Sequence, residues 1–186
     1  MATLAISGTL AVATAASAVS GIGPFRTTDS GDANVYPRPD APQQSLVHNG
    51  AWTARAFVGT RSAYCVQAPP AGGPERSEMS CTSPRVVAAL FDAGRAFVVV
   101  APVHDGTSLV AGLVPAETTA VRVTDDRATS AAATLSPVWT QSAQPAARLF
   151  LVALPQGDRG GPAGLTIAID SPSGRNVQAW PVPPPR

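Results

Sequence analysis

The stretch Ala96–Val103, AFVVVAPV, followed by His104-Asp105-Gly106-Thr107 and then Ser108–Val114, SLVAGLV, decides the fold. A continuous apolar run of this length, rich in β-branched residues, is the pattern of a strand buried on both faces. Asp-Gly between two such runs is a strong short-range hairpin signal. Pro115 closes the second strand, because proline has no N–H for a ladder.

Working outward, the same grammar repeats. Thr119–Thr124 (TAVRVT) sets Val121 and Val123 on one face and Ala120, Arg122 and Thr124 on the other. Asp125-Asp126 opens a turn. Ala131–Leu135 and Val138-Trp139 flank Pro137, which predicts an edge or kinked strand. Arg148–Leu154 (RLFLVAL) is a second fully buried run. Leu165–Asp170 points Leu165, Ile167 and Ile169 inward. Ser173-Gly174 turns the chain into Asn176–Trp180. Toward the N-terminus, Ala51–Val58 and Ser62–Gln67 are strand candidates, and the Pro/Gly-rich 68–80 is a loop. Val86–Phe91 fits a short helix or a strand, and Asp92-Ala93-Gly94 is a turn.

Short strands at this spacing, with no long helical period after residue 48, predict a mainly β protein. The expected fold is a single β-sandwich, with the immunoglobulin-like arrangement as a candidate, preceded by an apolar N-terminal helix. The expected organisation is an apolar segment over 1–25, a flexible linker over 26–47, the sandwich over 48–182 and a Pro-rich tail over 183–186.

Residues 1–25 carry no charged side chain. A secretory signal fits the small-residue motif Ala16-Ser17-Ala18. A membrane anchor fits the length and the apolar residues that continue to Phe25. A buried helix or an Ala-rich tail is the alternative without a membrane. The segment is read as an anchor or signal, which places the domain outside the cytoplasm, tethered or secreted. The next residues, 26–47, are polar and proline-punctuated, as a linker would be.

Composition narrows the function. Charged residues are 13% and the net charge is +1, so no field exists to steer nucleic acid. The chain contains no lysine, which excludes a P-loop lysine, a Schiff-base lysine and a Ser–Lys dyad. No Gly-x-Ser-x-Gly elbow is present. His104 and Asp105 are neighbours, but adjacent strand residues point to opposite faces, and Asp105 is accounted for by the turn. Asp29-Ser30-Gly31-Asp32-Ala33-Asn34 lacks the EF-hand spacing. The sequence therefore carries no catalytic, cofactor or metal motif, and the chain reads as a non-enzyme.

Cys65 and Cys81 are the only cysteines and are expected to form one disulfide in an oxidising compartment. Of the three tryptophans, Trp52 and Trp139 are expected in the core. Trp180, opposite Val177 and Ala179, is expected at the surface. Trp180, with Asp158 and Arg159 of the glycine-rich loop, forms the candidate ligand contact.

The run Gly112-Leu113-Val114-Pro115, then Val121-Arg122-Val123, then Phe150-Leu151-Val152 resembles a pattern in uncharacterised exported proteins of GC-rich actinobacteria. The resemblance covers about residues 84–180 and implies a secreted or anchored β-domain, with no activity or cofactor attached. The leading expectation is a non-enzymatic interaction or structural domain at the cell surface, contacting the membrane through residues 1–25 and an unidentified protein or cell-wall glycan. A carbohydrate- or cell-wall-binding module is the alternative. A hydrolase built on Asp or Arg at loop tips is the third.

Overall fold

The structure, a computed structural model, describes residues 45–59, 62–68, 78–102, 106–140, 145–155 and 164–181. Along the chain these form β1 (Ser45–Asn49), β2 (Trp52–Val58), β3 (Tyr64–Ala68), β4 (Glu78–Thr82), α1 (Pro84–Asp92), β5 (Phe97–Pro102), β6 (Thr107–Pro115), β7 (Ala120–Asp125), β8 (Ser130–Ala132), β9 (Thr134–Leu135), β10 (Ala147–Pro155), β11 (Gly164–Ser171) and β12 (Gly174–Pro181). All strand pairings are antiparallel, in three sheets ordered β1-β2-β3-β4, β5-β6-β10-β9 and β12-β11-β7-β8.

The sheet centred on β6 and β10 lies between the other two. Phe97, Val99, Leu109, Leu113, Leu149 and Leu151 on one face pack with Val47, Ala56, Tyr64 and Val66 of the first sheet. On the other face, Val98, Val110, Val114, Phe150, Val152 and Leu154 pack with Val121, Val123, Leu165, Ile167 and Ile169 of the third. This explains the unbroken apolar runs of β5, β6 and β10: alternate residues enter different cores. The third sheet buries one face, which is why β7 and β11 alternate, whereas the first also buries Phe57 and Cys65 on the side away from the middle sheet. The sheets face one another as sandwich layers, but the stack has three layers where an immunoglobulin-like fold has two.

Gly112 lets the middle layer close. It lies opposite Phe150 across β6–β10 and opposite Val98 across β5–β6. A Cβ there would collide with the Phe97 carbonyl oxygen and come within 2.7 Å of the Phe150 ring. The ring occupies the space a side chain would need.

Val86–Phe91, open between helix and strand in sequence, is helical. Ser83 caps α1, its Oγ accepting from the Val86 N–H at 3.4 Å, with Pro84 at the first helical position. Gly94, at φ +64°, ends it. The Arg95 N–H donates to the Leu90 carbonyl and the Gly94 N–H to the Phe91 carbonyl, at 2.7 and 2.8 Å, a Schellman closure.

Two strands depart from the sequence reading. β1 begins at Ser45, inside the stretch read as linker, and β4 begins at Glu78, inside the stretch read as loop. Both are outer strands of the first sheet, where burial is partial and the apolar pattern short. The stretch before Pro137, read as an edge or kinked strand, forms two short edge strands. β8 belongs to the third sheet and β9 to the middle one, so the chain changes layer at Ala133, whose N–H donates to the Val121 carbonyl at 2.8 Å.

Cys65 and Cys81 form a disulfide. They face each other across β3–β4, and Phe57 faces Cys65 across β2–β3. The bridge fastens the edge strand β4 to its sheet, as in chains that fold in an oxidising environment. Among the described residues no helix is long and apolar enough to cross a membrane, and residues 1–25 lie outside the described residues.

Candidate functional site

Three turns end on the same side of the molecule. They are the C-terminal end of α1, the β6–β7 turn and the β11–β12 hairpin. Between them lies a cleft of about 440 Å³, lined among others by Phe91, Asp92, Glu117, Thr118, Ser173 and Asn176.

Each wall is held by short local bonds. The Thr118 N–H donates to the Pro115 carbonyl at 3.1 Å, closing the β6–β7 turn. The N–H and hydroxyl of Thr119 both donate to the Asp170 carbonyl, at 2.8 and 3.1 Å, tying that turn to the hairpin. Within the hairpin, the Ser171 and Ser173 hydroxyls lie 2.8 Å apart, and the Ser171 hydroxyl also donates to the Gly174 carbonyl. Asp170 and Arg175 make a bidentate pair at 2.6 and 3.0 Å on the exposed side. The hydrogen bond from Arg175, with the charges of Arg175 and Arg122, holds the Asp170 carboxyl below the usual carboxylate range.

Behind the cleft runs a polar seam. Arg148 donates from Nη1 to the Thr118 carbonyl and from Nε to the Ser136 carbonyl, both at 2.9 Å. The Ser136 hydroxyl accepts from the Leu149 N–H and donates to the Pro137 carbonyl. Thr118 is buried, and its own hydroxyl has no partner.

The cleft's chemistry is that of an acceptor-rich surface. Among the described residues that line it, Asp92 and Glu117 are the charged groups and none is basic. Asp92 sits in the last turn of α1, where the helix dipole disfavours a carboxylate and where no basic residue compensates it. Such a lining repels anions and suits hydroxyl-rich or cationic groups, with Phe91 as an apolar wall. Among the described residues no group of three or more His, Cys, Asp and Glu side chains converges as a metal site would require.

The residues singled out in sequence lie elsewhere. Trp180 is half-buried and packs against the core between the middle and third sheets. Its strand is turned over relative to expectation: Gln178 is buried, whereas Val177 is 64% exposed and Ala179 is exposed. The reason is a tertiary bond. The buried Gln178 side chain accepts from the Ala96 N–H at 2.8 Å, which fixes the even-numbered face of β12 inward. Asp158 and Arg159, and likewise His104, Asp105 and residues 29–34, lie outside the described residues. Trp139 is buried and stands edge-on to Tyr64 with ring centroids 5.5 Å apart, while Trp52 is half-buried against the same core. His48 shares a hydrogen bond of 2.8 Å with the Thr53 hydroxyl on the exposed face of β1–β2.

Asp92, Glu117, Thr118 and Asn176 belong to no sequence motif that marks a site. Each stands in or beside a turn, and turn composition accounts for most of them. Only the stacking of the sheets brings the three turns together. No family model matches the chain, and neither a curated protein nor a solved structure is similar to it.

Proposed function

We propose that this chain is a non-enzymatic, extracytoplasmic domain that mediates interaction or structure at the cell surface. In this reading residues 1–25 form an apolar helix that anchors or exports it. The Cys65–Cys81 disulfide carries the reading, because a bridge between directly opposed strand residues is maintained where thiols are oxidised. A stack of sheets with two cores suits a rigid display role better than one requiring moving parts.

The experiment is expression of the full chain in a bacterial host. External protease is applied to intact cells, and alkylation reports the redox state of the two cysteines. Digestion from outside, or release into the medium, with both cysteines oxidised supports the proposal. Protected, intracellular protein with two free thiols overturns it.

Glycan binding is the second reading, favoured by the acceptor-rich cleft beside Phe91. It moves the ligand contact away from Trp180, whose ring is half-occupied by the core. Calorimetric titration with cell-wall oligosaccharides, repeated on Asp92→Ala and Glu117→Ala, tests it. Saturable heat lost in both variants supports the reading, and no heat in the parent chain removes it.

A further inference from the structure

The third sheet ends on β12, at eight residues the longest edge strand among the described residues. It pairs with β11 without a bulge from Ser171↔Gly174 to Gly164↔Pro181. The two-residue turn makes Ser171 and Gly174 a hydrogen-bonded pair, so the even-numbered residues of β12 bond to β11. The ladder on the other side of β11 agrees, since the Asp126 N–H donates to the Gly164 carbonyl and even-numbered β11 residues therefore face β7. It follows that the N–H and C=O groups of Arg175, Val177 and Ala179 point away from the sheet.

Among the described residues that edge is poorly guarded. Proteins blunt edges with charge, proline, bulges or shortness. β8 and β9 are three and two residues long. β12 has one charged residue, Arg175, at its start, already paired with Asp170, and proline only at Pro181. Between them stands Val177, 64% exposed. Its neighbours on the same outer face are small: Ala168 directly across, with Thr166 opposite Ala179.

We propose that β12 is a self-association edge, pairing antiparallel with β12 of a second copy and merging the two outer sheets into one. The register is set by the strand's own sequence. With Val177 opposite Val177 of the second copy, Arg175 faces Ala179 of that copy and all three outward residues bond, giving about six ladder hydrogen bonds. Centring on Arg175 would set two like charges opposite each other, which is unfavourable. Centring on Ala179 would bring in Pro181, which has no N–H. Centring on an even-numbered residue engages fewer outward groups. The Val177 pair and the adjoining alanines then leave water together. A second copy fits where an arbitrary peptide has no stated complement, because this one short segment supplies both the open ladder and the register without charge conflict.

The test uses the full chain in mild non-ionic detergent, followed by light scattering after size exclusion at up to about 100 μM. A Val177→Cys variant is oxidised in parallel. Opposed residues of a hydrogen-bonded pair have Cα atoms about 5.5 Å apart, within disulfide range. The expected result is a dimer, covalent in Val177→Cys, and monomer in Val177→Pro and Val177→Lys with unchanged circular dichroism. Proline at this position removes only an outward N–H and leaves the β11 ladder whole. A parent chain monomeric throughout overturns the proposal, as does a dimer that persists in both variants or that fails to cross-link at 177. An extended peptide of another protein found on β12 of a monomeric chain overturns it as well.

Discussion

The side-chain amide of Gln178 meets both backbone polar groups of Ala96, accepting from its N–H at 2.8 Å and donating to its carbonyl at 3.4 Å. Both residues are buried, and the pair joins the last strand to the entrance of β5, spanning the middle and third sheets. A buried amide left without a partner costs more than an average hydrogen bond returns. Gln178→Leu is therefore expected to lower stability by about 1–3 kcal/mol, despite adding apolar volume. Gln178→Asn, one methylene too short, should behave alike. Urea denaturation measures both, and an unchanged midpoint in Gln178→Leu would refute the role.

Gly112→Ala should destabilise by about 1–3 kcal/mol or more, because overpacking in the middle layer has no flexible neighbour to displace. The Phe97 carbonyl oxygen, on the backbone of β5, is the closest obstacle. Shrinking the other obstacle with Phe150→Leu should accordingly fail to restore stability. A thermal melt of the single and double variants decides this, and full rescue would show that the ring alone sets the constraint.

Replacing both cysteines, Cys65→Ser with Cys81→Ser, should cost about 3 kcal/mol for a loop of this length in the chain-entropy model. The loss belongs to β4 first, since the bridge fastens that edge strand to β3. Hydrogen exchange should show β4 amides losing protection while β6 and β10 keep theirs. Equal loss in all strands would contradict a local staple.

Tyr64 gives a pH signature. Burial pushes its phenol from 10.0 up to about 12, and its O–H donates to the Pro145 carbonyl at 2.6 Å. A folded-state value above the unfolded one favours the neutral form. Its stabilising contribution is thus complete below pH 10 and declines as pH rises from 10 toward 12. Ultraviolet titration of the phenolate should find one tyrosine ionising late. In Tyr64→Phe the extra alkaline loss of stability should vanish, with a neutral-pH cost of about 1 kcal/mol for the hydrogen bond. Normal ionisation of every tyrosine in the folded chain would contradict the burial argument.

Much of the fold was legible because burial on two faces leaves no room for alternation. β5, β6 and β10 were visible as apolar runs, β7 and β11 as alternating ones, and the Cys65–Cys81 pair followed from the cysteine count and the compartment. The site was not legible. Asp92, Glu117 and Asn176 stand in or beside turns, where the same residues are favoured for local reasons, and their convergence depends on how three layers stack.

β12 marks where the sequence by itself stops. Its residues determined a strand after Ser173-Gly174, but an outer strand with Val177, Ala179 and Trp180 on opposite faces reads equally well either way up. The Gln178–Ala96 bond chose the face, burying a polar amide and leaving Val177 outside. In the same way the sequence determined a mainly β chain, while only the tertiary structure decided that there are three layers. A run buried on both faces states that something covers each face. Which strands do so depends on pairings between residues far apart in the chain, and those leave no local period to read.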